Sequence, residues 1–426
     1  MRTWTTPDLP ELPGTGLAPR LFNTAGARLE HPPLPGNRAT LYVCGITPYD
    51  ATHLGHAATY IAFDTLLRAW RDAGIETLYA QNITDVDDPL LERANATGVD
   101  WRDLAAGQIG LYRSDMHRLG MIPPDRFIAV TERIDEIAAG VQRLQERGLA
   151  YTVPTADSAG QDIYFDTRGA ERMTQWRLGD VARYDRELME ILSAERGGDP
   201  EREGKRHPLD PLLWRAARAG EPSWPSPVGE GRPGWHIECA VIATDELGPA
   251  FTVQGGGADL VFPHHEYTAA HATALTDTPL AHAYCHVGLI SYEGHKMSKS
   301  RGNLVLVSKL LDGGADPSAI RLGLLAHHYR SEWEWFDTDM VTATRRLQAW
   351  RAGVAQRSDD PANATAVLQQ LRQSLANDLD TPVMLATLDA ALDQGVDDPD
   401  LIVDAVESLL GVILRPAATE HTHLIA

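Results

Sequence analysis

The sequence has few cysteines, fewer basic than acidic residues and no long apolar run. Its three cysteines are odd in number and lie far apart, which makes a poor disulfide framework, so we expect reduced thiols or metal ligands. Lysine and arginine number 38 against 59 aspartates and glutamates, and the net charge of −21 opposes a polyanionic partner such as a nucleic acid. No apolar run reaches the roughly 18 to 20 residues of a membrane helix and no signal peptide is visible, so we expect a cytoplasmic protein without membrane contact.

What remains is the composition of a globular protein. Hydrophobic residues make up 43% and charged residues 23% of the chain, and its 426 residues allow two or three domains. Residues 1–36 are rich in proline and glycine and are predicted to form an irregular lead-in. Residues 39–46 and 77–83 are short apolar runs typical of buried strands, and the apolar spacing between them predicts a helix from about Gly55 that ends before Gly74.

A strand, a helix and a strand within about 45 residues form a βαβ unit, which predicts a parallel sheet. We therefore predict an α/β fold, with a Rossmann-like parallel sheet, an inserted and mainly helical domain, and a C-terminal helical domain. The predicted parts are the lead-in 1–36, one half of the sheet domain at 37–100, the inserted domain 101–230, the second half of the sheet domain at 231–300, a connector 301–330 and the helical domain 331–426.

Two histidines one helical turn apart, His53 and His56, lie where the first predicted strand passes into the helix. Ligands bind at the carboxyl ends of parallel strands, and a helix N-terminus offers unpaired N–H groups to phosphate. Gly55 allows close approach, and the two imidazoles could add hydrogen-bond donors to a developing phosphorane. Because an HxxH pair at a helix start is more often structural, this motif alone does not decide the function.

Two lysines, Lys296 and Lys299, lie in a KMSKS segment that follows another apolar run at 284–290. Two ammonium groups in a loop that contains Gly and Ser suit a mobile clamp on a triphosphate, where each neutralises charge passing to pyrophosphate. A solvated lysine loop is the more common explanation of such a segment taken alone.

The two motifs in this order resemble the signature pair of the class I aminoacyl-tRNA synthetases, and the residues around them are similar to cysteinyl-tRNA synthetase. The similarity extends over most of residues 37–330, so it implies the catalytic core of a class I synthetase. The segments that carry it lie at 42–45, 49–50, 82–88, 221–227, 231–239, 255–257 and 262–266.

The resemblance implies one zinc ion per chain, held by Cys44, Cys239 and His264, to which the thiol of the substrate cysteine binds directly. Thiolate and imidazole ligands suit zinc, and three protein ligands leave one tetrahedral position open. The family's fourth ligand, a glutamate, falls at Thr268, whose hydroxyl is a poor zinc ligand, so a three-ligand site is predicted. A thiolate binds zinc well and a serine hydroxyl does not, so the site would reject serine without an editing domain.

Other residues that invite a metal are assigned structural roles. Cys285 lies in an apolar run and is interpreted as a buried thiol, and His265, His286 and His295 are interpreted as structural. The acidic residues at 85–88 suggest magnesium, but loop capping and turn formation are the more frequent roles of such a cluster.

The same resemblance implies that the carboxylate of cysteine attacks the α-phosphorus of ATP, which carries Mg²⁺, to give cysteinyl-AMP and pyrophosphate. The residues implied to stabilise the transferring phosphates are His53, His56, Lys296 and Lys299. The residues implied to surround cysteinyl-AMP are Cys44, Gly45, Ile46, Thr47, Thr59, Asn82, Ile83, Thr84, Trp235, Gly257, Ala258, Asp259 and Ile290.

Departures from the tRNA enzymes bear on the acceptor of the cysteine. Ile46 and Pro48 stand where the synthetases usually have Pro and Val, and Ala58 where Arg is common. Residues 195–200 have no counterpart in the tRNA enzymes. Together with Thr268, these departures resemble the cysteine:amino-sugar ligases of mycothiol biosynthesis, close relatives that form an amide with glucosaminyl-inositol. The expected partners are therefore cysteine, ATP and glucosaminyl-inositol, and no nucleic acid. The protein is expected to be a monomer, and the loop at residues 195–200 is expected to lie near the sugar.

Two other hypotheses stay open. A cysteinyl-tRNA synthetase would need an anticodon-binding domain beyond the helices that end near Leu414, and the residues from Arg415 onward are too few to pack one. An inactive synthetase-like binding module would have no physical reason to keep both motifs and three zinc ligands. Offering either acceptor with cysteine and ATP, and watching for AMP, separates these hypotheses.

Overall fold

The computed structural model describes residues 1–297 and 301–415, so the predicted catalytic residue Lys299 lies outside the described residues. The strands are β1 (Leu21–Asn23), β2 (Arg28–Glu30), β3 (Arg38–Val43), β4 (Glu76–Ile83), β5 (Arg126–Ala129), β6 (Ala150–Pro154), β7 (Gln161–Phe165), β8 (Leu212–Ala216), β9 (Gly231–Pro233), β10 (Phe251–Gly257), β11 (Ala281–Val287), β12 (Ile290–Tyr292), β13 (His295–Lys296) and β14 (Trp333–Trp335). The α-helices are α1 (Leu54–Asp72), α2 (Asp88–Thr97), α3 (Trp101–Arg118), α4 (Ile134–Glu146), α5 (Thr167–Met173), α6 (Arg186–Glu195), α7 (Trp235–Leu247), α8 (Glu266–Thr276), α9 (Val307–Asp312), α10 (Pro317–Leu325), α11 (Asp337–Gly353), α12 (Ala364–Ala376), α13 (Thr381–Gln394) and α14 (Pro399–Leu410). In the described part of the chain, no helix is long and apolar enough to cross a membrane.

The central sheet is parallel throughout and has the strand order β11-β10-β3-β4-β5. Both faces are buried, since Leu41 and Val43 of β3 pack in one apolar cluster with α1 and Tyr42 packs in another with α7. The chain runs from β3 to β4 and β5 on one side and then to β10 and β11 on the other. The predicted Rossmann-like sheet is confirmed, and ligands of such sheets bind in the crevice where the order reverses, here between β3 and β10.

Helix α1 follows β3 after a short turn and carries the two predicted histidines at its start. Its apolar residues Tyr60, Phe63 and Trp70 are buried against the sheet and the neighbouring helices. The chain leaves the helix at Gly74, whose φ of 69° lies in the left-handed region that favours glycine. The predicted helix and its stop are confirmed.

The segment predicted as an inserted domain, residues 101–230, contributes to two sheets. Strand β5 pairs in parallel with β4 at the edge of the central sheet, and α3 lies on the crossover between them. Strands β6, β7 and β8 form an antiparallel sheet with β9. The boundary predicted at 101 therefore falls inside the central fold, because a crossover helix has the same apolar periodicity as a helix of a separate domain. The rest of the domain division stays a prediction.

Residues 1–36 contain a hairpin, which differs from the irregular lead-in predicted for them. Strands β1 and β2 pair antiparallel. Asn23 attaches the hairpin to β11 by donating to His282 O at 3.2 Å and by accepting from Tyr284 N at 3.0 Å. Two strands of three residues have no periodic signal in a segment rich in Pro and Gly, and their partners are distant in the sequence.

The C-terminal residues fold into helices α11 to α14, which confirms the predicted helical region. A buried ion network joins α1 to α14. Asp64 accepts from Arg68 Nε at 2.8 Å and from Arg321 Nη2 at 2.5 Å. Arg68 Nη1 also donates to Glu407 O at 2.9 Å, and Arg321 Nε donates to Leu410 O at 2.8 Å. The helical region is therefore bound to the sheet domain by polar bonds as well as by apolar packing.

Candidate active site

A cavity of about 1150 Å³ opens where the strand order reverses between β3 and β10. The residues after β3, the start of α1 and the end of β10 form part of its wall, and the sheet of β6 to β9 contributes another part. The predicted site residues that line it are Cys44, Gly45, Ile46, Thr47, His53, His56, Thr59, Trp235, Gly257, Asp259, Ile290 and Lys296.

Three further predicted residues, Asn82, Ile83 and Thr84, are buried next to that wall. Asn82 Oδ1 accepts from Gly45 N at 3.0 Å, and Thr84 N donates to Ile46 O at 3.1 Å. A side chain at position 45 would place its Cβ 1.6 Å from Asn82 O, so this close approach of two backbones needs glycine. Asn82 and Thr84 therefore hold the wall residues Gly45 and Ile46 in place by hydrogen bonds.

His53 and His56 stack at the start of α1 with their ring centroids 3.8 Å apart. His53 Nδ1 accepts from Gly55 N at 3.1 Å and so caps the helix. Burial, together with His56, lowers the pKa of His53 to about 2, and burial, together with Lys296, lowers the pKa of His56 to about 4. Both rings are therefore neutral at pH 7, and each can still donate an N–H to a phosphate oxygen.

Lys296 and Asp259 form an ion pair in the cavity, with Nζ 2.9 Å from Oδ2. Asp259 lies in the single turn Ala258–Leu260 that directly follows β10. Because both side chains are partly exposed, this pair contributes little to stability and can open. The segment that follows KMSKS is joined to the start of α1, since Leu54 N donates to Val305 O at 2.9 Å. The structure thus brings together the residues predicted to act on phosphate and ribose, Lys299 excepted.

Cys44, Cys239 and His264 come together beside the cavity, and their candidate ligand atoms all lie within 4.8 Å of one another. Cys44 follows β3, Cys239 is in α7, and His264 is in the irregular turn before α8. The two sulfur atoms are 4.0 Å apart. Two sulfurs bound to one tetrahedral zinc at about 2.3 Å are roughly 3.8 Å apart, so this spacing and this donor set fit a zinc ion.

The electrostatics of the two thiols differ. Burial raises the pKa of Cys44, whereas the contact with Cys44, together with His264, lowers the pKa of Cys239 well below its usual value. A divalent cation would hold both as thiolates. Trp235 stacks on the His264 ring with centroids 4.3 Å apart and fixes its orientation. The Thr268 hydroxyl donates to His264 O at 2.6 Å, so it is engaged by the backbone.

Arg215 of β8 and Arg232 of β9, for which the sequence predicted no role, also line the cavity. Arg215 makes two hydrogen bonds to Glu221, at 2.8 and 2.9 Å, and Arg232 donates to Glu221 at 3.1 Å and to Asp88. Glu221 and Arg232 lie in segments that carry the family resemblance, which is the signal that could have found them.

Residues 195–199, from the segment for which the sequence predicted no counterpart in the tRNA enzymes, also line this cavity. Arg196 Nη1 donates to Asp259 O at 2.5 Å. Asp199 Oδ1 accepts from Lys205 Nζ at 2.9 Å. The loop is therefore fixed by ionic and polar bonds on both sides, and one of these bonds reaches the turn that carries the predicted ribose residue.

A match to a known protein family covers most of the chain. The family described as the class I (C) tRNA synthetase catalytic domain matches residues 30–345. The chain belongs to this class I tRNA synthetase family. The match spans both halves of the central sheet and includes both signature motifs, so the class I synthetase catalytic core expected from the resemblance is confirmed.

Curated relatives of the chain are named as ligases. A protein of Clavibacter michiganensis subsp. michiganensis, named L-cysteine:1D-myo-inositol 2-amino-2-deoxy-alpha-D-glucopyranoside ligase, is 55% identical, and the alignment covers 98% of this chain and 100% of that protein. A protein of Micrococcus luteus with the same name is 52% identical, with 97% and 100% covered. Among solved structures, methionyl-tRNA synthetase of Mycobacterium tuberculosis in complex with methionyl-adenylate has a TM-score of 0.62 at 15% identity, with 88% of this chain and 92% of that chain covered. That likeness shows a shared fold.

Proposed function

We propose that this class I synthetase relative joins L-cysteine to the amine of glucosaminyl-inositol in mycothiol biosynthesis. Cysteine and ATP give cysteinyl-AMP and pyrophosphate; the amine then attacks the activated carboxyl carbon, an amide forms and AMP leaves. The two relatives at 55% and 52% identity are named for this ligase. The observation that carries the proposal is that Cys44 is both a member of the Cys44–Cys239–His264 cluster and a lining residue of the cavity that contains His53 and His56.

Part of the proposal is that Cys44, Cys239 and His264 hold one Zn²⁺ per chain. A bound zinc ion would supply an open tetrahedral position for the thiolate of the substrate cysteine. The site would then select cysteine by a bond that serine cannot form, and it would need no larger pocket and no editing domain.

The chain's own groups would act on ATP, which enters with Mg²⁺. The neutral imidazoles at the start of α1 would add N–H donors to those of the helix terminus, and the ammonium groups would neutralise charge on the departing pyrophosphate. The residues assigned to the phosphates are His53, His56, Lys296 and Lys299. The residues assigned to cysteinyl-AMP are Cys44, Gly45, Ile46, Thr47, Thr59, Asn82, Ile83, Thr84, Trp235, Gly257, Ala258, Asp259 and Ile290.

The acceptor would occupy the part of the cavity that the loop 195–199 and the β6 to β9 sheet form. Glucosaminyl-inositol is a small amine with many hydroxyl groups, and Arg215 and Arg232, which both pair with Glu221, offer charged donors at that wall. One chain carries all the assigned residues, so a monomer suffices. The free thiols of Cys44 and Cys239 suit the reducing cytoplasm.

A cysteinyl-tRNA synthetase is the second candidate, because the matching family is that of a tRNA synthetase. The net charge of −21 opposes a long polyanion, which disfavours this candidate. The test is to supply purified enzyme, cysteine and ATP with either glucosaminyl-inositol or cysteine tRNA. We expect AMP and an amide product with the amino sugar and no cysteine on tRNA. Efficient tRNA charging at physiological salt, or no turnover with the amino sugar, would refute the proposal.

A further inference from the structure

A line of hydrogen bonds connects Cys44 with the N-terminal hairpin through two buried histidines. Cys44 Sγ lies 3.3 Å from His265 Nε2. His265 Nδ1 lies 2.7 Å from His286 Nε2, and His286 Nδ1 lies 2.7 Å from Thr24 Oγ1. The sequence alone indicated structural roles for both histidines and an irregular segment around Thr24. The structure connects His265, His286 and Thr24 to Cys44, one of the three candidate metal ligands.

The chemistry of Cys44 sets the direction of these bonds. A thiolate can only accept, so its contact with His265 is a hydrogen bond when His265 Nε2 carries the proton. A neutral imidazole has one N–H, so His265 Nδ1 accepts from His286 Nε2, and His286 Nδ1 accepts from the Thr24 hydroxyl. Burial lowers the pKa of His286 to about 3, so that ring is neutral. One assignment of protons therefore satisfies all three contacts.

The two ends of this line are themselves fixed. Gln254 Nε2 also donates to the Cys44 sulfur, at 3.4 Å, and it lies 3.2 Å from His265 Nε2, so two donors converge on one acceptor. At the far end, Thr24 N donates to Tyr284 O at 2.9 Å, which attaches the hairpin to the sheet. The hairpin thus places its hydroxyl where the second histidine needs a donor.

We propose that His265 is a positioning residue of the metal site, which holds the Cys44 thiolate by an N–H···S hydrogen bond while His286 and Thr24 fix its tautomer and ring orientation. The inference rests on the proposed function, because it takes Cys44 to be a thiolate ligand of zinc. Partners that orient a metal ligand change metal affinity by about 10- to 100-fold when they are removed. The N-terminal hairpin then contributes to the metal site without touching the metal.

Variants of His265 separate hydrogen bonding from packing. His265→Gln can present an amide N–H near the position of Nε2, whereas His265→Leu fills space without a donor. Zinc affinity, measured by competition with a chelator, should fall about 10- to 100-fold in His265→Leu and be largely restored in His265→Gln. With Co²⁺ in place of zinc, the sulfur-to-metal charge-transfer band should shift in His265→Leu.

A matched pair of threonine variants tests the far end. Thr24→Val removes the hydroxyl that donates to His286, and Thr65→Val removes a hydroxyl that donates to Ile61 O at 2.8 Å within α1. We expect Thr24→Val to weaken zinc binding about two- to fivefold, a share of the full effect because it acts through two rings. Thr65→Val should leave zinc affinity unchanged. The unfolding temperature of each variant shows whether it is folded.

Unchanged zinc affinity and an unchanged cobalt band in folded His265→Leu would overturn the inference, as would equal effects of the two threonine variants. Failure of the proposed function would give a different result. If the wild-type protein binds no zinc, the metal site itself is wrong. If it binds zinc that depends on Cys44 but not on His265, only this inference is wrong.

Discussion

Two buried polar clusters differ in whether they contain charged groups of both signs: the one beside α1 does and is called closed, and the one beside α7 does not and is called open. The cluster beside α1 is closed. Asp64 Oδ1 accepts from Ile122 N at 2.8 Å, and its other oxygen accepts from Arg68 and Arg321. The two guanidinium groups direct further N–H groups at backbone carbonyls. Burial disfavours the charge on Asp64, but Arg68 and Arg321 outweigh it and hold the pKa of Asp64 below its usual value.

The cluster beside α7 is open. The sulfurs of Cys44 and Cys239 lie 4.0 Å apart, with His264 beside them and no cationic side chain in the trio. Glu238, next to Cys239 in α7, is buried, and its Oε2 has no hydrogen-bond partner among the described residues. A closed cluster of charges explains how two parts of a fold hold together. An open cluster of ligand atoms is suited to an added cation, in keeping with the proposed zinc site.

The largest effect should come from removing a ligand of the open cluster. In Cys44→Ala, we expect the zinc content to fall from about one per chain to near zero and ATP–pyrophosphate exchange with cysteine to be lost, because two protein ligands remain. Metal analysis of the purified protein and an exchange assay measure both. Cys285→Ala, which removes a buried thiol of β11, should keep its zinc. Full zinc content in Cys44→Ala would contradict the proposal that the cluster beside α7 holds the metal through Cys44.

A change in the closed cluster should affect stability and spare the metal. Asp64→Asn leaves Arg68 and Arg321 buried without their counter-charge, which should cost about 3–5 kcal/mol in the free energy of unfolding by urea. Asp312→Asn is the matched control, since Asp312 pairs with Arg118 at 2.8 Å but its side chain is 71% exposed, and it should cost no more than about 1 kcal/mol. Equal losses in the two variants, or loss of zinc from folded Asp64→Asn, would contradict the comparison.

The same variant tests the acid side of the stability profile. Because the folded-state pKa of Asp64 is lowered, its contribution is fully present above the ordinary carboxyl pKa of about 4 and is lost as the pH falls through the lowered value. As the pH falls below about 4, the free energy of unfolding should therefore decrease more in the wild-type protein than in Asp64→Asn. A steeper loss in the variant would reverse the sign that the ion pairs require.

The open cluster should also discriminate between substrates. With cysteine replaced by serine, ATP–pyrophosphate exchange should be at least about a hundredfold slower, the order expected when a site's main bond cannot form. The assay needs no acceptor, because activation precedes transfer. Comparable exchange with serine would show that the Cys44–Cys239–His264 cluster does not select the side chain.

Local patterns predicted the centre of the fold and failed where contacts are distant. The alternation of apolar runs and a 3.6-residue stripe identified β3, α1 and β4, and Gly74 ended the helix as expected. The hairpin of β1 and β2 was missed because its strands have three residues each. The periodicity of α3 predicted a helix but not its place as a crossover to β5, since that place depends on the pairing of β4 with β5.

The candidate site was likewise predicted only in part. The motifs and the family resemblance named Cys44, Cys239 and His264, which the structure brings together. The segment 262–266 that carries the resemblance includes His265, but no role at the metal site was predicted for His265, because its contact with His286, 21 residues away, forms only in the fold. Bonds to backbone carbonyls leave no mark in the sequence either, which is why the contact of Arg196 with Asp259 O could not be predicted.

The smallest effect should come from one such contact, at Arg196. Its Nη1 donates to Asp259 O at 2.5 Å and to Phe262 O, so it holds the chain between the proposed ribose residue and the proposed metal ligand His264. Removal of a charged donor at a half-buried position costs about 1.5 kcal/mol, which corresponds to roughly a tenfold change. In Arg196→Ala, kcat/KM for amide formation should fall about tenfold, while zinc content stays at the wild-type level.

Arg186→Ala is the control for Arg196→Ala, because Arg186 lies at the start of α6 and its partners, Glu190 at 3.0 Å and His207, lie outside the turn that carries Asp259. It should leave kcat/KM within about twofold of wild-type, as surface ion pairs contribute little. If both variants lose activity equally, the effect belongs to α6 as a whole. If neither variant loses activity, the loop 195–199 lines the cavity but does not hold the turn that carries Asp259.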